Sequence, residues 1–499
     1  MHYQSTRNNN IKITSAEAIK KGLSEEGGLF VPDSLPKIGL DELVSMKDMS
    51  YRERAEAILS KFLTDFTADE IKSCVENAYT RRKFETDNIA PVYKLNSKAY
   101  FLELWHGPTC AFKDMALQIL PHLLTTAMKK TGEKDEVVIL VATSGDTGKA
   151  ALEGFRDVAG TRIIVFYPDN GVSEIQKLQM ITQEGNNVSV CAVDGNFDDA
   201  QNGVKRIFTD KKYGELLLAN QFKLSSANSI NWGRLVPQIV YYFSAYADML
   251  AAEEIEVGEE INIVVPTGNF GNILASYYAY KMGLPVHRFI CASNENNVLT
   301  DFINTGVYNK NRQFHTTISP SMDILISSNL ERFLYHISGR DDAFIKDIMA
   351  KLSADGVYEI SDELKLKIRS KFSAGCADDA ETMAQIRKTS EDYGYVMDTH
   401  TAVGKAVYDK YVAETGDDTK TVIASTASPF KFNQSVLIAL GGNAAVCGKD
   451  EFELLGELSE RSGMKIPQSL AELKTKPRIF ESVCEKDEMV NMVNDFLQI

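Results

Sequence analysis

Short apolar runs leave this 499-residue chain few folds to choose from. They read VVILVAT at 137–143, TRIIVFYP at 161–168, NVSVCAV at 187–193, INIVVPT at 261–267, HRFICAS at 287–293 and TVIASTA at 421–427. Continuous apolar runs of this length suit parallel strands buried on both faces. Stretches with helical spacing lie between them, at 149–155, 173–184, 198–213 and 273–281. Strands alternating with helices predict an α/β chain of parallel sheets covered on both sides. Ligands of such sheets bind at the carboxyl ends of the strands. Three polar loops fall there: TSGDTG at 143–148, TGNFGN at 267–272 and STASPFKF at 425–432.

The loops narrow the chemistry. TGNFGN lets backbone approach a ligand closely, and the N–H groups of the helix after it suit a phosphate. It also reads as a plain tight turn, and it lacks the G-x-G-x-x-G dinucleotide spacing. TSGDTG misses the P-loop spacing, and Ala150 after Lys149 supplies no hydroxyl for magnesium. Its hydroxyls suit a carboxylate or phosphate, or simply cap a helix. In STASPFKF, Thr426 can bond a ring nitrogen or its own backbone, and Lys431 can help hold an anion. SSANSINWGR at 225–234 opens a helix, with asparagines that suit a ligand or a cap.

Upstream, LWHGPTCAFKDMAL at 104–117 breaks an apolar run with His106, Gly107 and Pro108. Thr109 or Cys110 then opens a helical pattern, with Thr109 as N-cap and Lys113 in the first turn. The positive end of a helix dipole disfavours a charged lysine there. An amine kept neutral is a nucleophile toward carbonyls, which makes Lys113 a candidate Schiff-base lysine. Alone, the stretch also reads as a surface lysine beside a solvated Asp114. His106 and His400 sit in polar segments without metal-ligand spacing and read as hydrogen-bonding residues; no metal site is expected.

Residues 3–90 lack the later rhythm and show helical spacing at 15–21, 51–63 and 68–80. Helical spacing at 489–498 ends a polar, acidic C-terminal stretch. The formal net charge of −15 argues against nonspecific binding to nucleic acid or anionic membranes. No stretch approaches the roughly 20 apolar residues needed to cross a bilayer. Seven scattered cysteines without a C-x-x-C pair predict free thiols in a reducing compartment, and MHYQSTRNNNIKI has no apolar run of signal-peptide type. The expectation is a cytoplasmic protein.

Taken together, YQSTR, GLSEEGGLFVP, HGPTCAFKD, ATSGDTGKAAL, SEIQKLQM, SANSINWGR, PTGNFGN, SPSMDILISSNLER, DTHTAVG and STASPFKF resemble threonine synthases, within the fold-type II family of pyridoxal-phosphate enzymes. The resemblance runs through nearly the whole chain in order, and the N-terminal unit is similar to that of the longer bacterial and fungal subgroup. It implies two doubly wound sheet domains with the cofactor between them, plus a mostly helical N-terminal unit. The expected division is 1–92 for that unit, 93–134 with 226–450 for a large domain, 135–225 for a smaller one, and 451–499 as a C-terminal segment packed on the large domain.

The resemblance assigns the Schiff base with pyridoxal 5'-phosphate to Lys113. It gives the cofactor phosphate to Gly268, Asn269, Phe270, Gly271 and Asn272, and the pyridine nitrogen to Thr426. It gives the substrate carboxylate to Ser144, Gly145, Asp146, Thr147 and Gly148. Many relatives have Asn where this chain has Asp146, which leaves Asn228 or Asn231 as candidates for the cofactor's phenolic oxygen. Relatives often have His where Ser428 stands. The implied reaction turns O-phospho-L-homoserine and water into L-threonine and phosphate, by a monomer or homodimer; Lys431 and Arg234 are candidates for the substrate phosphate. The rivals are a serine or threonine dehydratase, an amino-alcohol phospholyase, or a catalytically silent relative.

Overall fold

Runs without polar alternation do form strands buried on both faces. A computed structural model describes residues 1–143, 145–169 and 172–499. Its strands in chain order are β1 Tyr3–Ser5, β2 Asn8–Ile13, β3 Phe30–Pro32, β4 Val92–Lys94, β5 Ala99–Glu103, β6 Glu136–Ala142, β7 Thr161–Pro168 and β8 Val188–Asp194. Then follow β9 Phe222–Ser225, β10 Ile261–Pro266, β11 Val286–Ser293, β12 Val307–Asn309, β13 Val357–Glu359, β14 Phe372–Cys376, β15 Thr421–Ser425 and β16 Val483–Glu485.

Two sheets carry the architecture. The larger has the order β14-β11-β10-β15-β5-β4 and is parallel except at its edge pair β4–β5. The smaller, β16-β8-β7-β6-β9, is parallel throughout. Every residue of β10 is buried, as a strand packed on both faces requires. Helix starts are fixed locally. Ser173 and Gln176 form a capping box at the helix Glu174–Ile181, as Ser50 and Glu53 do at Tyr51–Phe62.

The N-terminal unit is less helical than its spacing predicts. β2-β1-β3 form a small antiparallel sheet, which the Asn-rich segment NNNIKI conceals from any apolar count. Arg54 joins this unit to the long helix Pro237–Ala251, donating from Nη1 to Ser244 Oγ at 2.7 Å and pairing with Asp248. The stretch 198–213 is two helices, Phe197–Thr209 and Lys211–Ala219, because Asp210 caps the second.

The C-terminal segment departs most from expectation. The helix Glu451–Ser462 lies against Asn433–Gly441 on the large-sheet side. Beyond it, β16 pairs with β8, and the helix Met489–Leu497 buries Met489, Val493 and Leu497 in the core of the smaller sheet. The end of the chain completes the smaller sheet, not the larger.

Candidate active site

Lys113 is buried, 8% exposed, where the carboxyl ends of the two sheets face each other. The helix predicted from Thr109 begins only at Asp114 and lasts four residues, Asp114–Leu117, with Lys113 at its N-cap. Cys110 takes a left-handed backbone, φ 58°, which stops any earlier turn of helix. Thr109 does not cap; its N–H and hydroxyl donate to the Asp114 carboxylate at 2.8 and 2.9 Å. Asp114 is fully buried rather than solvated, and burial pushes its carboxyl up to about 6. The Lys113 amine is held below its usual range chiefly by burial, with Asp146 pulling the other way. The cause is desolvation rather than the dipole of so short a helix.

Two side chains close on Nζ. Ser321 Oγ lies at 3.0 Å and Asp146 Oδ2 at 3.5 Å. Asp146 opens the helix Asp146–Phe155, and its other oxygen meets Lys431 Nζ at 2.6 Å and accepts from Gln176 Nε2 at 3.0 Å. Burial would raise this carboxyl, but Lys431 and Lys113 overcome that and hold it well below the usual carboxylate range. Asp146 is thus the counter-ion of two lysines and is not free to face a substrate carboxylate. Gly145 and Gly148 donate their N–H groups to Thr143 Oγ1 at 3.0 and 2.9 Å. Thr147 is the second residue of the helix Asp146–Phe155, and Ser144 lies outside the described residues. A Cβ on Gly145 would sit 2.4 Å from the Gln176 amide, so glycine lets Gln176 reach Asp146.

The TGNFGN loop ends β10. Among the described residues, the N–H groups of Gly268 through Ile273 donate to no protein acceptor. Phe270, at φ 62°, sends its ring into the core against Phe333, so its share in the loop is backbone. Asn272 Oδ1 accepts from Tyr241 at 2.8 Å, while its buried Nδ2 has no partner. Around Gly271 the space is open: a Cβ there would lie 3.5 Å from Asn329 Nδ2 and 3.8 Å from Gln238 Nε2. Free N–H groups, an orphaned amide and two more amides over a glycine fit a phosphate group. A Cβ on Gly268 would stand 2.7 Å from the Ser321 carbonyl oxygen, which ties this loop to the turn facing Lys113.

Thr426 follows β15; its carbonyl accepts from Phe112 N–H at 2.8 Å, so it lies beside Lys113. Arg234 is buried with one backbone partner, Ala227 O at 2.9 Å, and burial lowers it to about 10. Asn231 is spent on capping Trp232–Leu235 and on Ile19 O, and Asn228 is exposed; neither is held for a phenolic oxygen. His106 bonds Glu103 at 2.8 Å.

Sequence reading left three residues without a role. Ser321 and Gln176 belong to SPSMDILISSNLER and SEIQKLQM, and only proximity gives them meaning. His400, read as a loop residue, lies buried in Thr399–Thr415; its Nδ1 meets Asp398 at 2.8 Å, and its Nε2 accepts the Ser321 N–H at 3.1 Å. It sets the turn that carries Ser321.

Three family models match the chain: "Threonine synthase N terminus" at residues 2–79, "Pyridoxal-phosphate dependent enzyme" at 85–427 and "Threonine synthase, C-terminal" at 401–496. A threonine synthase from Methylobacillus glycogenes is 36% identical, covering 98% of each chain. The chain belongs to the threonine synthase family. That family lies within the pyridoxal-phosphate-dependent enzymes, and the expected fold is present. A solved PLP-bound threonine synthase from Brucella melitensis matches with a TM-score of 0.87 at 35% identity, covering 100% of this chain and 99% of the other. The yeast threonine synthase structure gives 0.88 at 31%, with the same coverage. Threonine synthase-like 1 from Homo sapiens is 41% identical over 85% of this chain, and the match spans 58% of that protein's length.

Proposed function

We propose that the chain is a threonine synthase, converting O-phospho-L-homoserine and water to L-threonine and phosphate with Lys113 as its central base. The observation that carries this reading is the buried Lys113 Nζ, set between Ser321 and Asp146 beside the Gly268–Asn272 turn. Pyridoxal phosphate, when bound, supplies an electron sink for negative charge at the substrate's α carbon. Lys113 Nζ, the N–H groups from Gly268 to Asn272 and the Thr426 hydroxyl would hold it. The Thr426 hydroxyl, unlike a carboxylate, would not keep a ring nitrogen protonated.

Lys113 takes the proton from Cα, and the burial that lowers its pKa favours the neutral amine this step needs. As phosphate leaves Cγ, the same Nζ moves protons between Cβ and Cγ. Arg234, a buried cation with no carboxylate partner among the described residues, receives the substrate phosphate. The hydroxyl and N–H of Thr147 take the substrate carboxylate, while Asp146 holds Lys431 and Lys113 in place. Closure of the Gly145–Gly148 loop keeps water from Cβ until the late addition.

Lys113→Ala decides the assignment. The variant is expected to lose the visible absorption of the cofactor-loaded protein and all turnover; a variant that retains both sinks it. Incubating wild-type protein and cofactor with phosphohomoserine should yield threonine and free phosphate together. A second reading, another lyase on this scaffold, draws on the likeness to a protein named only as threonine synthase-like. It would release a 2-oxoacid and ammonia, or phosphate without threonine. Seven free cysteines support a reducing, cytoplasmic setting, and a monomer or homodimer is expected on sedimentation.

A further inference from the structure

A cavity of about 350 Å³, not lined by Lys113, lies where three parts of the chain meet. Asn77 and Lys83 come from the N-terminal side, and His122 from the helix Leu120–Lys130. Glu153, Arg156 and Asp157 come from the end of the helix Asp146–Phe155. A volume of this size holds a small metabolite.

Its charges are unevenly matched. Glu153 is already engaged: Lys149 Nζ, Gln183 Nε2 and Arg156 Nη1 each lie 3.2 Å from its oxygens. Asp157 Oδ1 accepts two hydrogen bonds from Asn186, at 2.9 and 3.2 Å. Lys83 has no such partner. It is partly buried, and its side chain forms no hydrogen bond or ion pair among the described residues. Nearby, His122 Nε2 is buried without a partner. Glu153 and Asp114 attract it only from a distance, and a lysine drawn into a polar cleft without a direct ion pair can receive a further negative charge.

We propose that this cavity binds a compact anion, the phosphate or carboxylate group of a small metabolite, with Lys83 and Arg156 as its cationic contacts. The position gives such a ligand leverage. Gly154 approaches so closely that a Cβ there would lie 2.0 Å from the Leu117 carbonyl oxygen. An anion fastening Arg156 to Lys83 secures the far end of the helix whose first residues are Asp146 and Thr147. Ligand binding there favours one setting of the smaller sheet against the larger.

Calorimetric titration of the cofactor-loaded protein tests this, with inorganic phosphate and malonate as separate probes at matched ionic strength. Saturable binding of at least one is expected, weakened about tenfold in Lys83→Gln with the melting temperature and cofactor absorption unchanged. Phosphate held at the active site contributes equally in both proteins and cancels in the comparison. Binding of phosphate alone, or of malonate as well, tells which acid group the cavity takes. Equal affinity in the two proteins, or no saturable binding of either anion, overturns the proposal. Should Lys83→Gln melt early, Arg156→Gln, at a more exposed side chain, carries the same comparison.

Discussion

Gly271 and His400 are where single side chains have the sharpest consequences. Because the space over Gly271 is open, Gly271→Ala should be tolerated. Gly271→Asp should weaken cofactor binding by at least about tenfold, since two anions then meet at one helix start. Equilibrium dialysis of both variants separates charge from bulk, and equal affinity would remove the turn from the site. His400 acts through Ser321. In His400→Ala the partly buried Ser321 N–H loses its acceptor, a loss of about 1–3 kcal/mol. The expected fall in kcat is about 5- to 150-fold, with partial recovery in His400→Asn, which restores an acceptor; an unchanged kcat in the alanine variant would contradict the coupling. At this scale the sequence named Lys113, Thr426 and the 268–272 turn. Ser321 and Gln176 could not be assigned from spacing, because each lies far along the chain from Lys113. The same distance hid the partner of Lys431, read as a contact for an anionic ligand: its ion pair makes Asp146 a counter-ion instead of a ligand group.

Among elements, the inner strands were legible because burial on both faces leaves no polar positions to blur a run. Short or edge strands such as β2, β4 and β16 carry polar or charged residues and gave no such signal. Helix 198–213 read as one because its apolar spacing runs on through Asp210, where a cap divides it. The final helix, Met489–Leu497, belongs energetically to the smaller sheet: Met489 Sδ would lie 2.1 Å from a Cβ on Gly203. Met489→Ala should therefore cost about 2–5 kcal/mol. The loss should show as faster amide exchange in β7 and β8, with β10 and β11 unaffected. Uniform loss of protection in both sheets would mean that the two unfold as one unit.

For the molecule as a whole, acid should act before the active-site carboxylate titrates. His336 is half-buried against Tyr278, whose hydroxyl oxygen lies 2.9 Å from its Nε2, and desolvation of its ring lowers its pKa to about 3. The unfolded state then binds more protons than the native one between about pH 6.5 and 3. Stability from this residue is full above pH 6.5 and falls by about 1.4 kcal/mol per unit below it. Asp114, raised to about 6, works the opposite way and offsets part of the loss between pH 6 and its usual range. Replacing His336 with Asn should flatten the stability profile between pH 6.5 and 5 in urea titrations; an unchanged slope would show that this imidazole is not held neutral.

β16 stands almost five hundred residues from the start of the chain, yet it covers an edge of a sheet whose other strands end by residue 225. During synthesis, β6 to β9 emerge long before their last neighbour exists. The flank of β8 therefore waits with its amides and carbonyls bare, a template for stray strands from other nascent chains. Translation speed through the final third of the message, and the chaperones present meanwhile, should govern how much of the product escapes aggregation.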